Sequence, residues 1–294
     1  MKLLGVETSC DETAVAVVED GQHIHSNVVA SQASVHARFG GIVPEVASRH
    51  HLVNFVPVVR QALEDAKLDL DELDGIAVTH GPGLAGSLLI GVNGAKGLAL
   101  AKDLPFLGVN HLEGHIYAAW LNGRNPDVDP GFPLLCLIAS GGHTDLILME
   151  DHGNFSILAR TRDDAAGEAF DKAAKVLGLG FPGGPAIQKV SAHKTHVDRK
   201  FPRPRFDDSL DFSFSGLKTA LLRRAEERGW YPPDQRKDID PLQVANMAAA
   251  YQEAIVDCLV DRVLRAVRSY RINGGVVGGG VAANKLLREE LVRQ

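Results

Sequence analysis

The apolar positions of this chain follow two rhythms. Short continuous or alternating runs predict strands, and longer stretches with an apolar residue every third or fourth place predict helices. From Leu3 to Asp20, LLGVETSCDETAVAVVED reads as an apolar strand, a polar turn and a second apolar strand closed by an acidic pair. The pattern returns without a gap from Leu134 to Asp151 as LLCLIASGGHTDLILMED, with six of eighteen positions identical. A third strand follows each copy, IHSNVVASQ in the first half and FSILARTR in the second. Two unrelated hairpins would share a turn by chance, whereas the shared three-strand order predicts an internal duplication.

Helices are expected after each triplet. PEVASRHHLVNFVPVVRQALEDAK opens on a proline suited to a first helical turn, and its spacing predicts Val46, His50, Val53, Val56 and Val59 near one face. Strand GIAVTH, glycine loop GPGLAGS, helix LLIGVNGAKGLALAK, strand FLGVN and helix HLEGHIYAAWL follow. The second half predicts helix AAGEAFDKAAKVLGL, an irregular stretch, and a helix start at DFSFSGLKT with Ser215 as cap and Phe212 and Phe214 anchoring the loop. The long amphipathic helix VANMAAAYQEAIVDCLVDRVLRAVRSY, strand GGVVGGG and closing helix NKLLREEL complete the order. This alternation predicts an α/β protein of two lobes, 1–130 and 131–294, with hairpin turns facing a common cleft. Such a design is similar to the actin, sugar-kinase and Hsp70 ATPase superfamily. There the turns hold phosphates and a late glycine-rich strand-to-helix junction holds the adenine nucleoside.

Composition narrows the partners. No run approaches the roughly 18 uninterrupted apolar residues of a membrane span, and MKLLGVETSCDE turns polar too early for a signal peptide, so the cytoplasm is expected. Cys10, Cys136 and Cys258 lie far apart without a CxxC pair, against a disulfide framework and a thiolate zinc site. A formal net charge of -6 does not suit nucleic-acid binding by bulk electrostatics, so any RNA contact must be local or shared with a partner.

Several segments bear candidate chemistry. The first turn, Thr8 to Thr13, gathers amides, hydroxyls and the carboxylates of Asp11 and Glu12, groups that suit phosphate oxygens, a cation or the orientation of a nucleophile. Taken alone, such a tip is commonly a solvated turn. The second, Ser140-Gly141-Gly142-His143-Thr144, lacks the acids, but its adjacent glycines let a ligand approach the backbone. The glycine run before Asn284 would let a ring or ribose lie against the main chain, although an ordinary tight connection has the same pattern. His111 and His115, four apart in HLEGH, share one helical face and suit a metal ion better than they suit a solvated pair. Glu113 follows the first histidine one residue too late for a zinc peptidase of the HExxH type. Lys200, Arg203 and Arg205 belong to a basic stretch, either a solvated loop or the landing place of a phosphate backbone. No GxxxxGK[ST] or GxSxG run occurs, which leaves neither a P-loop nor a serine-hydrolase elbow.

Nine blocks in order from residue 5 to residue 288 resemble the tRNA adenosine threonylcarbamoyltransferases, members of which were once labelled sialoglycoprotein endopeptidases. The blocks are GVETSCDET, FGGIVPEVASR, HGPGLAGSLLIG, NHLEGH, SGGHT, DDAAGEAFDKAAKVLGL, PGGP, DFSFSGLKT and GGGVAANKLLR. The resemblance implies an enzyme that moves a threonylcarbamoyl group from threonylcarbamoyl adenylate to the exocyclic amine of adenosine 37 in tRNAs reading codons that begin with A. It further implies His111 and His115 as ligands of one divalent metal, iron favoured and zinc the alternative, with Mg2+ able to accompany the nucleotide. Ile138, Ala139, Ser140, Gly141 and Gly142 match a substrate segment, Asp171 and Gly184 match nucleoside contacts, and Asn284 matches the adenosine motif. Asp11 and Glu12 match acids tied to activity. Without the resemblance, Asp171 reads as an exposed helical acid. The opening and spacing resemble bacterial members, which implies a paralogous TsaB-like subunit and a TsaE-like P-loop ATPase as partners. The family's third metal ligand is an aspartate beyond the GGGVAAN block, and LVRQ breaks off in a helical pattern, so a C-terminally incomplete chain with weakened metal retention is expected. A metal-dependent peptidase and a noncatalytic nucleotide-binding scaffold are the alternatives; the scaffold should lack the first-turn acids and paired histidines.

Overall fold

The first duplicated hairpin forms from β1 (Lys2–Glu7) and β2 (Glu12–Glu19), antiparallel from Lys2 opposite Glu19 to Glu7 opposite Ala14. β3 (His23–Ser31) pairs antiparallel with β2, while β4 (Gly75–Gly81) lies parallel to β1 and β5 (Phe106–Asn110) parallel to β4. The resulting sheet has the order β3-β2-β1-β4-β5. Alternation buries Leu4 and Val6 of β1 with Val15 and Val17 of β2, and Ile76 and Val78 of β4 join them in one core. Short α1 (Ala33–Ala37) precedes the two helices that cover this face, α2 (Pro44–Ala66) and α3 (Ala85–Lys102). α4 (His111–Tyr117) follows β5 directly.

The second hairpin repeats the arrangement. β6 (Leu134–Ala139) and β7 (Thr144–Asp151) are antiparallel, β8 (Asn154–Arg160) adds to β7, and β9 (Gly274–Gly278) runs parallel to β6. The order β8-β7-β6-β9 reproduces the first four strands of the other sheet, the topological expression of the duplication. Every residue of β6 is buried, as the continuous run LLCLIA requires of a strand with neighbours on both edges. α5 (Ala166–Leu177), α6 (Gly183–Ser191), α7 (Ser215–Glu227), α8 (Pro241–Ser269) and α9 (Lys285–Arg293) contribute to its core. The computed structural model describes residues 1–123, 125–197, 201–232 and 239–294. They divide into the units Met1–Asn125 and Pro126–Gln294. Among the described residues no helix is long and apolar enough to cross a membrane.

Three sequence expectations change. α2 buries Ala47, His51, Phe55, Val58, Val59 and Ala62, so the inward face is turned from the predicted one, and Val53 and Val56 are 69% and 53% exposed. The rotation follows from the crossing with α3, because Phe55 fills the space that a side chain at Gly94 would occupy; a Cβ there would sit 2.4 Å from Phe55 Cζ. The stretch after α5 is not irregular throughout, since GGPAIQKVS forms α6 despite its glycines and proline. Its first amide, that of Gly183, donates to Asp171 Oδ1 at 2.6 Å.

Ser215 is the first residue of α7 rather than its cap, and Phe214 stands in the cap position. The capping oxygens come from Asp163: Oδ1 accepts the Phe214 and Ser215 amides at 2.7 and 3.1 Å, and Oδ2 accepts the Ser213 and Ser215 hydroxyls at 2.6 and 2.8 Å. A carboxylate at a helix N-terminus satisfies more of the orphan donors than one hydroxyl could. Burial pushes the Asp163 carboxyl up, but these hydrogen bonds outweigh it and hold the group below its ordinary 3.8. Its contribution to stability is therefore present above about pH 3.8 and is lost as pH falls through the lower folded value. Asp163→Ala is expected to cost roughly 1–2 kcal/mol, the upper range for losing a cap. Denaturant unfolding at pH 7 and pH 3 checks this, and the difference between wild type and variant should shrink at the lower pH.

Candidate functional site

In the first unit the turn between β1 and β2 is seated against the loop that enters α3. The Thr8 hydroxyl donates to the Ser87 carbonyl at 2.9 Å, and the Leu84 amide donates to the Ser9 carbonyl at 2.8 Å. Glycines permit this approach: a Cβ at Gly91 would lie 2.3 Å from Thr8 Oγ1, and one at Gly83 would lie 2.7 Å from Ser9. Asp11 and Glu12 stand at the tip, with Cys10 before them and buried Thr13 after them. Glu12 is exposed, yet partial desolvation, then the Asp11 charge and then Glu7, raise its carboxyl above its ordinary range, which suits a proton acceptor better than an unperturbed acid. Cys10 is pushed up to about 12, by burial first and Asp11 second, so a thiolate nucleophile has no support at this turn.

α4 brings the paired histidines to the same turn. The Asn110 side chain caps the helix by accepting the Leu112 amide at 2.9 Å. One helical turn separates His111 and His115, whose ring centroids are 4.5 Å apart. His111 Nδ1 lies 3.0 Å from Glu7 Oε2 and 3.1 Å from Ser9 Oγ. Glu7 is itself held, accepting the Thr79 hydroxyl at 2.7 Å and the Ser9 amide. Burial raises the Glu7 carboxyl, but hydrogen bonds with His111, Ser9 and Thr79 pull it down to about 2, so it is ionised. An ionised carboxylate on Nδ1 selects the tautomer whose lone pair is on Nε2, the usual support of a metal-binding imidazole. The donor set thus fits one borderline-soft divalent ion. Among the described residues no group of three or more His, Cys, Asp or Glu side chains forms a complete cage. Sequence reasoning did not single out Glu7; its signal is an acid ending an apolar strand just before a polar turn.

In the second unit the turn from Ser140 to His143 is closed by the Ser140 amide to the His143 carbonyl at 2.8 Å and the His143 amide to Ser140 Oγ at 3.1 Å. Gly141 and Gly142 are exposed, with no atom within 4 Å of where a Cβ would be. Ile138 and Ala139 do not share this tip; they are wholly buried in β6 and can act on a ligand only by fixing the turn. Gly167 at the start of α5 donates its amide to the Ser140 carbonyl at 3.0 Å. One turn along α5, Asp171 caps α6, where Gly184 is the second residue.

The glycine junction after β9 closes on the same turn. Gly279 has φ 85°, and a Cβ there would lie 2.4 Å from the Ala139 carbonyl oxygen. Asn284 is only 7% exposed; its Oδ1 accepts the Leu287 amide at 3.1 Å as the cap of α9, and its Nδ2 donates to Gln252 Oε1 at 3.0 Å. Gln188 of α6 accepts the Lys285 amide at 2.7 Å. These contacts link the Ser140 turn to the start of α5, Asp171 to the start of α6 beside Gly184, and the Asn284 junction to β6 and α6. Much of Asn284's hydrogen-bonding capacity holds the junction itself. Gln252 and Gln188, which sequence reasoning missed, are polar residues in helices and give no local sign of this contact.

The basic stretch lies against α8. Arg203 Nε donates to Asp257 at 2.6 Å and Arg205 Nη2 to Asp261 at 2.8 Å, while buried Arg262 donates to the carbonyls of Asp211 and Pro204 at 3.0 and 2.8 Å. Lys200 lies outside the described residues. A phosphate reaching Arg203 or Arg205 must compete with these carboxylates, exposed pairs of which are worth about 0–1 kcal/mol.

A family model described as tRNA N6-adenosine threonylcarbamoyltransferase matches residues 23–294. A protein of that name from Dehalococcoides mccartyi strain BAV1 is 53% identical over 291 residues, covering 99% of this chain and 84% of the relative. Another from Thermomicrobium roseum is 51% identical over 305 residues, with the same coverages. Among solved structures, component A of (R)-2-hydroxyglutaryl-CoA dehydratase from Acidaminococcus fermentans has a TM-score of 0.57 at 16% identity, covering 100% of this chain and 88% of that one. The activator of 2-hydroxyisocaproyl-CoA dehydratase from Clostridium difficile, with bound ADPNP, has a TM-score of 0.56 at 12% identity, covering 100% and 85%. At such identities the structures establish the fold alone, a two-sheet α/β architecture.

Proposed function

Because the chain belongs to the tRNA N6-adenosine threonylcarbamoyltransferase family, we infer that it transfers threonylcarbamoyl from threonylcarbamoyl adenylate to the exocyclic amine of tRNA adenosine 37, releasing AMP. The tRNAs are those that read codons beginning with A. The observation that carries this reading is the close relationship, along nearly the whole chain, to proteins of that name.

The substrate is a mixed carbamic and phosphoric anhydride. The amine nitrogen attacks the carbamoyl carbon, the carbon–oxygen bond to phosphate breaks, and AMP leaves with the electron pair without needing a proton near neutral pH. Catalysis is then chiefly positioning and charge stabilisation. In the second unit, the Ser140–Gly142 tip would hold the phosphate, and Asp171, Gly184 and Asn284 the nucleoside. In the first unit, Asp11 would orient the amine and Glu12, with its raised carboxyl, would accept its proton. His111 and His115 would hold one divalent ion, iron favoured over zinc, which when bound supplies a positive charge for a phosphate or carbonyl oxygen. Mg2+ would accompany the nucleotide, and Arg203 and Arg205 would offer local contacts to tRNA phosphates. The reading includes a cytoplasmic setting, a paralogous TsaB-like subunit and a TsaE-like P-loop ATPase. Peptidase chemistry lacks its general base, since Glu113 follows His111 one residue too late for the HExxH arrangement.

Nucleoside mass spectrometry of tRNA, digested after incubation with the protein, its partners, threonine, bicarbonate, ATP and the adenylate synthase, tests the activity. Unmodified adenosine 37 together with metal-dependent proteolysis would reverse the reading. Titrated with iron(II) or zinc, the protein should bind about one ion per chain, and His111→Ala should bind it far more weakly, as expected when a first ligand is removed. Equal metal in both proteins would remove the histidines from that role.

A further inference from the structure

Behind the first turn, α2 presents a buried imidazole that the transfer reading leaves unused. His51 is fully buried; its Nδ1 lies 2.8 Å from Thr13 Oγ1 and its Nε2 3.0 Å from the Cys10 carbonyl oxygen. A carbonyl can only accept, so Nε2 carries the hydrogen, and Nδ1 accepts from the Thr13 hydroxyl. The ring therefore grips the chain on both sides of Asp11 and Glu12, at the backbone before them and the side chain after them. The Asp11 carbonyl is held separately by the Gln32 amide at 2.9 Å. Gln32 in turn reaches buried His36 and the Ala47 carbonyl of α2.

A buried imidazole is a poor choice merely to fill space, because an aliphatic side chain would do so without desolvating two polar nitrogens. What it adds is a donor and an acceptor in fixed directions. We propose that His51 is a positioning residue for the transfer, setting where the Asp11 and Glu12 carboxylates stand. The proposal rests on the assignment of those two acids to the reaction.

Three substitutions separate positioning from packing. His51→Leu removes both contacts, His51→Asn keeps an acceptor where Nδ1 was, and His51→Gln keeps a donor where Nε2 was. With the adenylate and partner proteins in excess, His51→Leu should lower kcat about 100-fold, the scale of an ångström-sized misplacement, with KM for tRNA changing less than about threefold. His51→Gln should recover to within about fivefold of wild type because it restores the grip on Cys10, whereas His51→Asn should remain low. Melting temperatures on the same preparations give the folded fraction. Wild-type kcat per folded molecule in all three variants would overturn the proposal, as would a loss confined to KM. Should His51→Leu not fold, Thr13→Val removes only the hydroxyl and should lower kcat by no more than about fivefold, as His51→Gln does, while His51→Asn, without the Cys10 contact, should remain low; wild-type kcat in His51→Asn is then equally fatal. Asp11→Ala in the same assay distinguishes the premise: full transfer by that variant overturns the role of the acids, whereas its loss beside an unimpaired His51→Leu overturns positioning alone.

Discussion

Asp11→Ala is expected to lower transfer to adenosine 37 by about two to four orders of magnitude, the range for losing a positioned acid or base. The exocyclic amine of adenine is a weak nucleophile because its lone pair is delocalised into the ring, so a carboxylate that orients it and a neighbour that takes its proton matter most as the new bond forms. Removing Asp11 also removes one of the charges that raise the Glu12 carboxyl, moving Glu12 back toward an ordinary acid and weakening it as a base. Stability should change by about half a kcal/mol or less, since Asp11 is partly exposed and the main-chain bond from Gln32 does not depend on its side chain. Rates of product formation by nucleoside mass spectrometry, set beside thermal unfolding, test both halves. Normal transfer by a normally folded variant would show that the first-turn acids do not participate.

Gly279→Ala should have the largest effect on stability, about 3–5 kcal/mol, as the sum of a glycine-only backbone conformation and overpacking against main chain. At φ 85° and ψ 166° an L side chain is strained wherever space exists, and here there is none: the added Cβ meets the Ala139 carbonyl oxygen at 2.4 Å and its carbon at 2.7 Å. β6 cannot retreat, because β7 and β9 are bonded to its two edges. The same shift would separate the Ser140 turn from the Asn284 junction, so AMP affinity should fall in any folded fraction. Gly280→Ala is the control, since no atom lies within 4 Å of its Cβ position. Denaturant unfolding of the two variants reads the difference, and equal stabilities would show that the close approach is not as described.

Much of the candidate site was legible because it is local. HLEGH places two imidazoles on one helical face through helix periodicity alone, and the hairpin turns follow from strands separated by short polar runs. Its supports are not local. Glu7 and Thr79 are 72 residues apart, Asp163 and Ser215 are 52 apart, and Asn284 and Gln252 are 32 apart. No window along the chain contains both partners, and the donor inventory of each residue is compatible with solvent as well as with protein. Arg203 and Arg205 show the same limit: a run of cations is visible in sequence, but the acids of α8 that engage them are not adjacent to it.

By itself the sequence determined the succession of three strands in each repeat, the polar turns within them, the start of α4 and the family, because periodicity, turn chemistry and joint motifs are properties of neighbouring residues. Only the tertiary structure decided the rotation of α2. Its apolar residues lie on more than one side, and the choice falls to Phe55 meeting Gly94 and His51 reaching Cys10 and Thr13. It also decided that Asp163 caps α7 and that Glu7 holds His111. A buried polar group takes whichever partner the packed backbone brings within hydrogen-bond reach, and that distance is set by the fold rather than by separation along the chain.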